Sequence, residues 1–163
     1  MKQARQVYSK ILNKQQLQQQ INVWHLLGRK VVFTNGVFDI IHKGHLSLLT
    51  EAAAFGDILV VGVNSDASVK RLKGESRPVN DEETRALLLA SLIMTDAVVV
   101  FEEDTPFELI KMIMPNVLVK GGDYTTDTIV GAKEVIDNGG EVKVIPLSQG
   151  FSTTATIKKI QKN

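Results

Sequence analysis

The sequence predicts an α/β fold: a doubly wound parallel five-stranded sheet with an extra N-terminal helix. Two observations carry this. Short runs of β-branched and other apolar residues recur along the chain, mostly without the in-out alternation of a strand exposed on one face. Between successive runs lie helical patterns of about three turns, enough to cross to a parallel neighbour and cover the sheet.

The elements follow in order. Residues 1–28 are rich in glutamine, yet Leu12, Leu17, Ile21, Trp24 and Leu27 form an apolar stripe at helical spacing with Asn13 placed to cap it, so a packed amphipathic helix is expected. Strands are expected at Lys30–Thr34, Ile58–Val63, Ala97–Phe101 and Val117–Val119, with a more alternating one at Glu141–Ile145. Helices are expected at Leu46–Phe55, Glu82–Ile93, Pro106–Met114 and Val130–Asn138, with a last stretch near Thr153–Ile160. Lys73–Asn80, carrying Gly74, Ser76 and Pro78, reads as the one long polar loop. Ligands of such sheets bind beyond the carboxyl ends of the strands, where the strand order reverses.

Composition sets the class. The 163 residues suit one domain, with residues 1–28 as an extension and 29–163 as the α/β core. With 44% hydrophobic and 23% charged residues the chain is ordinary for a globular protein. Nineteen Lys and Arg against 18 Asp and Glu leave a formal charge of +1, too little for a field that attracts nucleic acid. Cysteine is absent, which removes disulfides, thiolate zinc sites and a cysteine nucleophile. No apolar run of about 18 residues occurs, so a soluble, cytoplasmic protein without a membrane partner is expected.

The strongest chemical signal follows the first strand, where Thr34–His45 reads TNGVFDIIHKGH and passes directly into a helical pattern. Gly36 frees the backbone as it leaves the sheet, and Gly44 removes a side chain where unpaired helix amides and the helix dipole attract an anion. His42 and His45 flank Gly44, so two imidazoles can donate to the same phosphate. Composition argues against a zinc site, since the only other histidine is His25 and Asp39 cannot complete the ligand set alone. A purely structural pair is the competing reading, and the shared strand–loop–helix junction argues against it.

TNGVFD followed by HKGH resembles the signature of the cytidylyltransferase-like nucleotidyltransferase superfamily, whose HxGH residues bind a triphosphate on a Rossmann-like sheet. NSDASVKRLKG (64–74), RPVNDEETR (77–85), FEEDTP (101–106), LVKGGDY (118–124) and GFSTT (150–154) are similar, block by block, to adenylyltransferases that make ADP-heptose. Two positions depart from the superfamily pattern: Val37 stands where many members carry cysteine, and Lys43 where the second HxGH position is often small or neutral. Glycerol-phosphate cytidylyltransferases carry an arginine shortly before the STT segment, whereas this chain has Pro146, Leu147 and Ser148 there.

The resemblance implies a site. His42, His45 and Lys73 would stabilise the transition state. Thr34, Asn35, Gly36, Val37, Phe38, Gly44, Lys120, Gly121, Gly122, Asp123, Ser152, Thr153 and Thr154 would bind the nucleotide, while Asp39, Asn64, Arg77 and Arg85 would meet the second substrate. Asp39 is expected at a sugar hydroxyl or the metal-bound triphosphate. Lys70, Arg71, Lys73, Arg77 and Arg85 are expected on or beside the long loop without acidic partners, leaving that loop mobile until a phosphate arrives. Glu102, Glu103 and Asp104 read as a solvated or helix-capping cluster. No protein-bound metal is expected, with Mg²⁺ entering on the triphosphate.

The activity so implied is transfer of AMP from ATP to D-glycero-β-D-manno-heptose 1-phosphate, with release of pyrophosphate. Transfer from CTP to glycerol 3-phosphate or another phosphorylated acceptor, and a non-catalytic nucleotide sensor, are the alternatives. A homo-oligomer is expected, as is a separate heptose kinase to supply the sugar 1-phosphate.

Overall fold

The structure, a computed structural model, describes residues 5–146 together with Thr153 and Ile157. The central strand β1 (Val31–Gly36) pairs in parallel with β2 (Ile58–Asn64) on one side and β4 (Val117–Gly121) on the other. Strands β3 (Ala97–Phe101) and β5 (Glu141–Ile145) complete the parallel order β3-β2-β1-β4-β5. The chain winds outward in one direction from β1 to β3, then returns past β1 to β4. The reversal therefore lies between β1 and β4, and their carboxyl ends frame the crevice.

Side-chain alternation assigns the core to two faces. Phe33, Val60, Val99 and Leu118 point to one face, which is covered by α2 (Lys14–Leu26), α6 (Phe107–Ile113) and α7 (Ala132–Asp137). Val32, Val61, Val98 and Val119 point to the other, covered by α3 (Lys43–Ala53) and α5 (Glu82–Ala90). The five strands and four crossover helices stand where expected: β3 and β5 have the expected bounds, and the others differ by one to a few residues at their ends.

The N-terminal helix forms as its cap predicts. The Asn13 side chain accepts from the Gln16 amide at 2.8 Å, and the Gln16 side chain accepts from the Asn13 amide at 2.9 Å. Leu17 and Ile21 are fully buried, while Leu27, expected on the same stripe, lies beyond the helix and is exposed. Just before the cap, residues 10–12 run beside β3: the Val98 amide donates to the Lys10 carbonyl and the Leu12 amide to the Val98 carbonyl, both at 2.8 Å. This segment covers an edge that would otherwise offer unpaired amides.

Two short helices were not legible, α1 (Arg5–Tyr8) and α4 (Asp66–Lys73). Helix α4 shows mainly Asp66, Lys70, Arg71 and Lys73 outward and buries only Ser68 and Val69, so it lacks an apolar stripe. Its start is nevertheless capped, because Ser65 Oγ accepts from the Ser68 amide at 3.2 Å. Lys70, Arg71 and Lys73 thus belong to a helix and not to a loop, and the irregular segment runs over 74–81, one residue further along than expected. Among the described residues no helix is long and apolar enough to cross a membrane.

Candidate active site

Past β1 the backbone makes a constrained turn. Phe38 has φ of 49°, a left-handed conformation rare outside glycine, and is nonetheless buried. Its ring folds back so closely that a Cβ on Gly36 would sit 3.1 Å from it. The same ring meets His45 edge-on, with centroids 5.2 Å apart.

His42 is the N-cap residue of α3 and His45 lies in its first turn, with rings stacked at 3.8 Å and 17°. Burial lowers both pKa values, and the neighbouring His42 adds to the effect on His45, which falls to about 4. Both rings are therefore neutral near pH 7 and present N–H donors instead of fixed charges. His45 Nδ1 is buried without a well-formed hydrogen bond among the described residues. The His42 carbonyl accepts from the His45 and Leu46 amides at 2.9 and 3.2 Å, and the N-terminus of α3, with Gly44 in its first turn, brings the positive end of the helix dipole to this turn. Thr153 Oγ1 donates to the Ile40 carbonyl at 3.4 Å, which brings the STT segment to this turn. Ser152 and Thr154 lie outside the described residues.

Asn35 and Lys120 sit on the opposite face, since strand alternation aligns them with Phe33 and Leu118. Lys120 Nζ donates to Asn35 Oδ1 at 3.2 Å. Burial lowers the pKa of Lys120, and no carboxylate pairs with it among the described residues. A cavity of about 340 Å³ opens beside them, floored by Leu118 and Ile129 and also lined by Gly36, Val37, Asn64 and Lys73. Gly121 ends β4; Gly122 follows at φ of 136°, and a Cβ there would lie 2.7 Å from the Tyr124 ring, so only glycine fits. Asp123 is exposed on that turn.

The cavity also recruits residues that sequence reasoning passed over. Asp104 and Thr105 line its mouth, with Tyr124 and Thr128 on another wall. Asp104 is steered by Arg71, whose Nε donates to Asp104 Oδ1 at 2.7 Å and whose Nη2 donates to the Glu102 carbonyl at 2.5 Å. The available signal was position, because FEEDTP follows a strand at the sheet's carboxyl edge.

The expectation that the basic residues lack acidic partners is overturned for three of the five. Arg71 pairs with Asp104, Arg85 with Asp66 and Arg77 with Asp39, each at 2.7 Å. Asp39 is 1% exposed and accepts from Arg77 Nε, from the Val79 amide at 2.9 and 3.0 Å, and from the Asn80 amide at 2.9 Å. Burial pushes its carboxyl up, but the two amides and the Arg77 guanidinium outweigh this and hold it below the usual carboxylate value. The 77–80 segment is thus tied to the HxGH turn. Arg85 is wholly buried: Nε donates to the Asn80 carbonyl, Nη1 to the carbonyls of Val37 and Asn64, and Nη2 to Asp66. In this state it braces the strand ends and does not line the cavity.

A parallel sheet with a strand-order reversal, a histidine pair at a helix N-terminus there and a cationic cavity beside it defines a nucleotide-handling α/β enzyme. Residues 33–159 match the family described as cytidylyltransferase-like, and the chain belongs to that family, which makes it a nucleotidyltransferase. Among curated relatives, the bifunctional protein HldE of Rhodospirillum rubrum is 54% identical over 152 residues, which are 93% of this chain and 31% of that one. The HldE of Cronobacter sakazakii is 60% identical over 136 residues, 83% of this chain and 29% of that one. The chain therefore spans under a third of these relatives. A solved lipopolysaccharide core biosynthesis protein from Thermoplasma volcanium is 31% identical with a TM-score of 0.59, covering 74% of this chain and 98% of that one. Pantoate-beta-alanine ligase from Francisella tularensis, at 17% identity and a TM-score of 0.59 over 94% of this chain and 78% of that one, shares the fold.

Proposed function

We propose that this chain transfers AMP from ATP to a sugar 1-phosphate, D-glycero-β-D-manno-heptose 1-phosphate, giving ADP-heptose and pyrophosphate. The observation that carries the reading is the division of the site across β1. His42, His45, the α3 N-terminus and Thr153 gather on the α3 face, and the Lys120 cavity opens on the other. Direct displacement at the α-phosphorus needs nucleophile and leaving group on opposite sides. Placing the β- and γ-phosphates at the histidines puts the acceptor in the cavity, where its phosphate supplies the anion that Lys120 and Lys73 lack.

In the step itself an acceptor phosphate oxygen donates its electron pair to the α-phosphorus. The bond from that phosphorus to the bridging β-oxygen breaks, and pyrophosphate leaves with the pair. The acceptor is already ionised, so no general base is required. His42 and His45 donate hydrogen bonds where charge grows, and fixed donors lose no reorganisation energy at that moment. Mg²⁺ bound to the triphosphate would supply charge neutralisation at the phosphates. The described residues bring no three His, Asp or Glu side chains together to hold a cation themselves.

The cavity suits one small polar molecule, being near the low end of the range of about 300–1,000 Å³ for such sites. Asp104, Thr105, Thr128 and Tyr124 offer partners to the hydroxyls of a sugar. The choice of heptose and ATP is supported by the adenylyltransferase-like sequence blocks and by the relatives named HldE. A kinase would make the sugar 1-phosphate, and the product would feed a heptose-bearing surface glycan. Pyrophosphate release, with ATP or CTP offered against heptose 1-phosphate, other sugar phosphates and glycerol 3-phosphate, tests the assignment. Turnover confined to ATP with heptose 1-phosphate supports it; turnover confined to CTP with glycerol 3-phosphate replaces it, and none with any pair leaves a nucleotide sensor.

A further inference from the structure

Two arginines beside the HxGH turn, Arg85 buried and Arg77 partly buried, differ in how their donors are used. Arg85 engages all three guanidinium nitrogens with protein oxygens, leaving it a structural brace. Arg77 is also largely withdrawn from water, its side chain 14% exposed, but only Nε is engaged, at 2.7 Å from Asp39 Oδ2. Its two terminal nitrogens carry no hydrogen bond among the described residues. A guanidinium held by Nε alone presents its terminal N–H groups as an open fork, the geometry that takes two oxygens of one phosphate.

The carboxylate that holds it has nothing left to offer. Asp39 is 1% exposed, and both its oxygens are occupied by Arg77 and by the Val79 and Asn80 amides. The Asp39 carbonyl accepts from Asn80 Nδ2 at 2.6 Å, closing the clamp. A sugar hydroxyl or a cation would have to displace these bonds. If the clamp served only to anchor the loop, the amide bonds and the Asn80 side chain would suffice, and a half-used, partly buried cation would add mainly desolvation cost. The fork is also well placed. The next residue, Ile40, accepts the Thr153 hydroxyl, and two residues beyond that His42 caps α3.

We infer that Arg77 is a phosphate-binding fork for the pyrophosphate end of the nucleotide, and that Asp39 is a positioning residue that presets it. This rests on the proposed placing of the triphosphate at the α3 face. Pre-orientation means that the side-chain entropy of Arg77 is already lost before the nucleotide arrives, so its hydrogen bonds add to affinity with less offset.

The test is calorimetric titration of the full chain with Mg²⁺–pyrophosphate and Mg²⁺–ATP, without acceptor, for wild type, Arg77→Met, Arg77→Lys, Asp39→Ala, Asp39→Asn and the Asp39→Ala/Arg77→Met double variant. Melting temperatures identify the folded variants. Arg77→Met should weaken pyrophosphate binding about ten- to a hundredfold. Arg77→Lys should follow it closely, because lysine keeps the charge and loses the fork. Asp39→Ala should weaken binding by a similar factor, and the double variant should be no weaker than Arg77→Met alone. Where Asp39→Ala does not fold, the isosteric Asp39→Asn, paired with Arg77→Met in the same cycle, carries the comparison. Unchanged pyrophosphate affinity in folded Arg77→Met overturns the inference, as do Asp39 and Arg77 losses that multiply. Failure of the wild type to bind either ligand would instead count against the nucleotide placement on which the inference stands.

Discussion

At the scale of single residues, burial shifts the pKa values of groups at the candidate site. His42 and His45 are neutral donors because burial disfavours their charged forms. Replacing either with alanine removes a donor aimed at developing charge, so turnover should fall by about 10²–10³ while the melting temperature changes little. Near-normal turnover in both folded variants would remove them from the mechanism. Their depressed pKa values also set a pH dependence. An unfolded histidine titrates near 6.5, whereas His45 in the fold titrates at about 4. Between those values the unfolded chain binds the proton and the folded chain does not. Stability is therefore full above about pH 6.5 and is lost as pH falls toward 4. Urea midpoints at about pH 7.5 and pH 5 should converge in His45→Asn relative to wild type; an unchanged gap would mean that other groups set the acid limit. Burial lowers the pKa of Lys120 as well, and on the proposed reading this partly buried side chain meets the acceptor phosphate. Lys120→Met should raise the acceptor KM with little effect on the ATP KM, and should stabilise the free protein by about 1 kcal/mol by removing an unpaired charge. A loss of stability together with an unchanged acceptor KM would make Lys120 a structural residue.

At the scale of elements, local signals and long-range ones were unequally legible. The capping box at Asn13 and Gln16 announces α2 because both partners lie within one turn. Asn13→Ala should cost about 1 kcal/mol in urea unfolding and leave kcat unchanged, since no residue of α2 lines the cavity; a loss of kcat would tie the helix to catalysis. The HxGH turn was equally readable, its glycines and histidines being contiguous with β1 and α3. Helix α4 was not, because it buries too few apolar residues to show a period and is held by Ser65 and by neighbouring elements. Pairings across the chain were invisible for a different reason. Asp39 and Arg77 lie 38 residues apart, and nothing local to either says that they meet. Composition alone made Arg77 and Arg85 equivalent, while the fold gives one an open fork and the other a saturated brace. Asp104 looked like part of a solvated acidic run until Arg71 and the cavity wall gave it a direction.

At the scale of the whole molecule, the parallel sheet acts as a partition. Its two layers of helices are built from alternate residues of the same strands, so adjacent positions Thr34 and Asn35 belong to different faces. At the carboxyl end of β1 that alternation places the α3 N-terminus on one side and the Lys120 cavity on the other. Arg85 links the ends of β1 and β2 through the Val37 and Asn64 carbonyls, which keeps the division rigid. A nucleotide lying across β1 would expose its α-phosphorus to the cavity and its leaving pyrophosphate to the histidines. On the proposed reading, this arrangement calls for a single displacement at phosphorus without a covalent enzyme intermediate. The most direct test is the stereochemical course with ATP bearing a chiral α-thiophosphate and a sugar 1-phosphate acceptor. Inversion at the α-phosphorus is the predicted result; retention would mean two successive displacements and would contradict attack from the opposite face.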